Sequence, residues 1–129
     1  MVAVLDTNIL VRVFLEDVLD EKQTDAARAL LKKTSEVYIP QLVQAELMWV
    51  LKYTYKLTKP KLLAIFKKLG SHSSFTLQNH SAFSEALALY EAGPADFSDY
   101  LVLVEASKMD AEVHTFDKKF AKSGAVLVS

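Results

Sequence analysis

Cysteine is absent from this 129-residue chain. That excludes a disulfide scaffold, thiolate zinc sites and thiol catalysis, and it fits a reducing compartment. Glycine and proline are scarce, at three each, and tryptophan occurs once. With 51% apolar and 24% charged residues, disordered and fibrous chains are ruled out. No apolar run approaches the ~18 residues needed to span a bilayer. The opening stretch, Met1-Val2-Ala3-Val4-Leu5-Asp6, has no basic segment and meets a carboxylate at once, unlike a signal peptide. A soluble, cytoplasmic protein is expected. Neither sign of charge dominates, with 15 Lys and Arg against 16 Asp and Glu, a formal net charge of −1. Taken whole, that balance argues against a nucleic-acid partner.

What the chain does have is a regular alternation. VAVL (2–5), EVYIP (36–40), SFTLQ (74–78), EVHTF (112–116) and AVLV (125–128) read as short apolar strands, the first of them fully buried. Helical spacing fills the intervals. It runs from Asn8 to Asp17, with Leu10, Val13 and Phe14 on one side, and over 20–33, around Ala26, Ala27, Leu30 and Leu31. Residues 41–57 form a strongly apolar helix with Leu42, Val43, Leu47, Val50 and Leu51. Another helix starts at Lys59-Pro60 and stops at Gly70; others cover 80–92, Phe97 to Met109 and Asp117 to Lys122. Strands alternating with helices predict an α/β fold with a parallel sheet. The length suits one domain over 1–129.

Two strands run into an aspartate, VAVL into Asp6 and EVHTF into Asp117. In open parallel sheets, ligands gather beyond the carboxyl ends of strands. Each aspartate also reads as the N-cap of the helix that follows, and the two roles are compatible. Glu46 sits among the apolar positions of the 41–57 helix, where an ionised carboxylate is costly unless paired or bound to a cation. The plainer account is an ion pair with Arg12 or Arg28, the only two arginines; a cleft wall explains the placement more simply. In ADFSDYLV (95–102), Asp96 reads as an N-cap and Asp99 as its capping-box partner. Asp99 also shares a helix face with Val102, Leu103 and Ala106, and there the site reading is preferred. Four carboxylates from distant segments, Asp6, Glu46, Asp99 and Asp117, would repel one another if brought together, and a hard divalent cation resolves that conflict. Oxygen-only ligation without cysteine or suitably spaced histidine favours Mg²⁺ or Mn²⁺ over zinc. In-line attack of water on a phosphodiester is the chemistry such a site serves.

The segments VLDTNILVR (4–12), Pro40 to Glu46, ADFSDYLV and HTFDKKF (114–120) together resemble the PIN-domain ribonucleases, in the order and spacing of the VapC toxins of toxin–antitoxin pairs. The resemblance covers essentially the whole chain. It implies a three-layer α/β/α sandwich with a five-stranded parallel sheet in the order 3-2-1-4-5. It carries the family's acidic quartet onto Asp6, Glu46, Asp99 and Asp117, with Asp96 as a further acid and Asn8 and Thr115 as polar neighbours of the metal. It implies Mg²⁺-dependent RNA cleavage, a homodimer, and a VapB-like antitoxin whose tail enters the active-site groove. One departure is visible: Tyr100, Leu103 and Val104 are bulky where the family has small residues after the third acid, which bears on helix packing or dimer contacts.

The near-zero net charge proves uneven along the chain. Residues 1–46 carry −3, residues 47–84 carry +6 and residues 85–129 carry −4. The middle segment has six lysines and no acid. Lys52, Lys56 and Lys59 fall at helical spacing with Tyr53 and Tyr55 among them, a pattern that suits an RNA backbone and stacked bases as well as it suits a solvated face. The objection to nucleic acid therefore lapses. Trp49 is expected in the core or a dimer interface, and His72, His80 and His114 in surface or core roles. Competing readings are a stand-alone RNA-processing nuclease and a PIN-like module that binds RNA or protein without turnover. The intact quartet speaks against the latter. A phosphoryl-transfer enzyme with Asp6 as nucleophile lacks a second aspartate at Asn8.

Overall fold

The computed structural model describes residues 2–15 and 21–129, in two compact units that meet in sequence between Gln78 and Asn79. The expected helical positions at Asp17 and Asp20 lie outside the described residues.

In the first unit, β1 (Val2–Val4), β2 (Glu36–Ile39) and β3 (Phe75–Leu77) form a parallel sheet in the order β1-β2-β3. Val4 stands opposite Tyr38, and Ile39 opposite Leu77. Alternation in β2 buries Val37 and Ile39 completely and leaves Glu36 and Tyr38 at the margin, the period-two pattern of a strand covered on one face. β1 departs from the fully buried strand expected of VAVL: Val2 and Val4, on one face, are 62% and 59% exposed, while Leu5, on the face of Ala3, is buried. Among the described residues the unit also holds α1 (Thr7–Phe14), α2 (Glu21–Lys33), α3 (Gln41–Trp49) and α4 (Lys59–Ser71), the last with Pro60 in its first turn. The helix expected over 41–57 stops being α-helical at Trp49. It continues as a π-helical turn, Val50–Thr54, and Lys56 takes a left-handed conformation with φ of 56°.

The second unit holds α5 (His80–Ala92), α6 (Phe97–Lys108), β4 (His114–Thr115), α7 (Lys118–Lys122) and β5 (Val126–Leu127). β4 and β5 pair in parallel across the α7 crossover. Phe97 is fully buried and meets Phe83 and Tyr90 edge-on, with ring centroids 5.8 and 6.3 Å apart. Of the bulky residues after Asp99, Tyr100 and Val104 are core, while Leu103 is half-buried. Gly93 makes room for the first of them: a Cβ at that position would lie 2.1 Å from the Tyr100 hydroxyl oxygen. That hydroxyl accepts from the Ala95 amide and donates to Ser123 Oγ, both at 3.2 Å. The fold is α/β with parallel strands, as expected. Within the first unit the strands pair in the order β1-β2-β3, and within the second β4 pairs with β5, strands of only two residues each. No described helix is long and apolar enough to cross a membrane.

Candidate functional site

Parallel pairing places two chain exits at one edge of the first unit's sheet. Val4 is level with Tyr38, so Asp6 and Pro40, each two residues on, both leave from carboxyl ends of strands. Asp6 occupies the N-cap position of α1: its backbone carbonyl accepts from the amides of Ile9 and Leu10, at 3.0 and 3.2 Å. Its carboxylate makes no capping bond and is exposed. Of the two compatible roles expected for Asp6, side-chain capping is therefore not used.

Glu46 lies in the second turn of α3, but not in its apolar stripe. The buried face of that helix is Gln44, Leu47 and Met48, continued by Leu51 of the π-helical turn. Glu46 is exposed on the other side, in line with Leu42, which is itself 78% exposed. Gln44 explains the rotation. It is fully buried, and its side-chain amide donates to the carbonyls of Ile39 and Gln78, both at 3.0 Å, tying the ends of β2 and β3 beneath α3. A polar residue thus takes the inward position that simple apolar counting gives to its neighbours. The partner of Glu46 is not an arginine but Thr7, whose buried hydroxyl donates to Glu46 Oε1. Arg12 instead donates to Gln23 Oε1 at 3.2 and 3.0 Å. Sequence reasoning passed over Thr7; its only signal was a hydroxyl directly after Asp6. Asn8, the expected polar neighbour, is exposed and lines a groove of about 480 Å³ between α1 and α2 with Ile9, Arg12, Ala27 and Leu30.

In the second unit the expected acids have helix-end duties. The Asp96 amide donates to Asp99 Oδ2 at 3.2 Å, within a capping box that opens α6. Asp99 is half-buried and stands beside the inward face of Phe97, Tyr100, Leu101 and Val104, while Val102, expected to share its face inward, is 49% exposed. Asp117 caps α7, with Oδ1 accepting from the Lys119 and Phe120 amides at 2.8 and 3.3 Å. Thr115 Oγ1 accepts from the Asp117 amide at 3.0 Å and so fixes the turn that presents this carboxylate.

The three lysines do not share one helix face. Lys52 belongs to the π-helical turn, Lys56 to the left-handed link and Lys59 to the first turn of α4. Trp49, expected in a core or dimer interface, is 59% exposed, with its ring centroid 5.6 Å from that of Tyr53.

For a hard cation, the donor chemistry fits: each candidate offers carboxylate oxygen, Asp6 and Glu46 are exposed, and neither sulfur nor imidazole is involved. Within neither unit do three His, Asp or Glu side chains converge among the described residues. Asp6 and Glu46 stand on the first unit, Asp96, Asp99 and Asp117 on the second.

These features belong to a recognised fold family. The PIN domain profile matches residues 3–125, and the chain is a member of the PIN-domain family. The sequence is similar to the VapC ribonuclease of Aquifex aeolicus (strain VF5), with 28% identity over 123 residues that take in 93% of this chain and 90% of that protein. Two solved structures align at 15% identity. One is VapC20 of Mycobacterium tuberculosis, a sarcin-ricin loop cleaving toxin, with a TM-score of 0.45 and coverage of 98% and 97%. The other is FitAcB of Neisseria gonorrhoeae, with a TM-score of 0.37 and coverage of 100% and 97%.

Proposed function

We propose that this chain is a Mg²⁺-dependent endoribonuclease and the toxin of a VapBC-type pair, cytoplasmic and homodimeric, with a VapB-like antitoxin as its partner. The full five-stranded order 3-2-1-4-5 and the three-layer sandwich belong to the same reading. The observation that carries it is Asp6: in a PIN-family chain, a carboxylate at a strand's carboxyl end begins a helix without capping it.

In this reading Asp6, Glu46, Asp99 and Asp117 hold the metal, with Asp96 as a further acid, and Mn²⁺ substitutes for Mg²⁺. Such a metal supplies an activated water for in-line attack on the phosphodiester and charge stabilisation for the leaving oxygen. Thr7 holds Oε1 of Glu46 and so would orient this carboxylate for the cation. Asp117 holds Oδ1 at the start of α7, which fixes its carboxylate where it would ligate the cation or position water. Thr115 keeps the Asp117 turn in place, and Asn8 is the polar neighbour on the α1 side. The products carry 5′-phosphate and 3′-hydroxyl ends.

Asparagine is the informative replacement, since it keeps an acceptor oxygen while removing the charge. Asp6→Asn and Asp99→Asn are expected to abolish Mg²⁺-dependent cleavage of RNA while both variants stay folded by circular dichroism. Cleavage at the parent rate by either variant would sink the assignment of that residue.

A further inference from the structure

We propose that the exposed side of α3 and of the π-helical turn after it is a stacking platform for the bases of single-stranded RNA, formed by Trp49 and Tyr53. The proposal rests on RNA being the substrate and names where its unpaired bases lie.

Leu42, Glu46 and Trp49 follow one another at intervals of four and three residues and so line one side of α3, and Tyr53 of the π-helical turn joins them through its ring contact with Trp49. All four are exposed; Trp49 is 59% and Tyr53 40% open to solvent. These two rings meet at 5.6 Å with a tilt of 43°, so they form one contiguous exposed aromatic patch rather than scattered side chains. Lys52 Nζ stands 5.0 Å from the centroid of the Tyr53 ring, adding a cation to the π surface. From Glu46, a rise of 1.5 Å per residue puts Trp49 about 4.5 Å farther along the axis, and Tyr53 lies beyond it at ring contact. Bases flanking a phosphate held near Glu46 would fall within that span.

The charge pattern selects the occupant. Lys52 stands at the Tyr53 ring, and the stretch 47–84 that follows Glu46 has six lysines and no acid; exposed aromatic rings beside a cation match a polyanion that carries stackable bases. The core of a protein–protein interface is instead depleted in lysine.

The chain's single tryptophan makes the platform directly visible. Asp6→Asn protein is titrated with a short oligouridylate in EDTA, following tryptophan emission and, with labelled oligomer, anisotropy. Trp49 emission is expected to be quenched, and a base-free oligomer of the same backbone to bind more weakly without quenching. Adding Trp49→Leu or Tyr53→Leu should weaken oligouridylate binding about tenfold, within the usual range for loss of one stacking ring. Both positions are exposed, so melting temperature should hold.

Affinity within twofold of the parent in the Trp49→Leu background, absence of oligouridylate binding, or equal quenching by the base-free oligomer would overturn the proposal. So would a sedimentation result in which Trp49→Leu splits a dimer while RNA affinity stays put, since the face would then belong to a second copy. These readouts need no cleavage. A chain that binds bases through Trp49 yet cleaves nothing defeats the nuclease reading alone; one that cleaves but ignores Trp49→Leu defeats the platform alone.

Discussion

Thr7 shows how one hydroxyl can set the geometry of a candidate ligand. It is buried at the start of α1, and its partner Glu46 comes from a helix 39 residues away in sequence. Thr7→Val preserves the branched shape and deletes the donor. Removing a group that orients a metal ligand typically costs ~10–100-fold in metal affinity. Calorimetric Mn²⁺ binding is therefore expected to weaken by at least about tenfold in Thr7→Val and to recover in Thr7→Ser. Unchanged binding in Thr7→Val would remove Thr7 from the site. Asp117 separates two jobs in one residue. Asp117→Ala should lose about 1 kcal/mol of stability with its cap, whereas Asp117→Asn should keep that stability in thermal melts. Both are expected to lose cleavage. Strand-end aspartates were legible because their position alone carries meaning. Thr7 was not, because a hydroxyl in a helix's first turn leaves no periodic trace and only folding brings it to Glu46.

At the level of elements, five strands and seven α-helices among the described residues fall close to the spans that apolar spacing and Pro or Gly stops predict. The exceptions have local causes. Counting at 3.6 residues per turn fails across Val50–Thr54, where the chain winds more widely, and a left-handed Lys56 then separates this turn from α4. The facing of α3 was hidden for another reason: Gln44 goes inward to satisfy two strand-end carbonyls, which turns Glu46 and Trp49 outward. The α5–α6 connection depends on Gly93. Gly93→Ala would drive a methyl into the hydrogen-bonded Tyr100 hydroxyl, and overpacking of that kind costs roughly 1–3 kcal/mol. A lowered denaturant midpoint at unchanged slope is expected. A parent-like midpoint would mean that Tyr100 moves aside freely.

For the molecule as a whole, the net charge of −1 conceals a basic middle between two acidic ends. Association with single-stranded RNA should therefore be salt-dependent, with a slope of about −0.7 in log K against log salt for each phosphate neutralised. Joint replacement of Lys52, Lys56 and Lys59 by glutamine is expected to flatten that slope by about 2 if all three meet phosphates. A slope unchanged in anisotropy titrations would assign them to solvent. Distribution of the acids also alters what their presence implies. Asp99 and Asp117 begin helices and would be retained for folding in a lineage that had stopped cutting RNA. Glu46 stands mid-helix in solvent, with no helix end to serve. Among descendants that have abandoned catalysis, drift should reach Glu46 first, and Thr7, released from its partner, should follow.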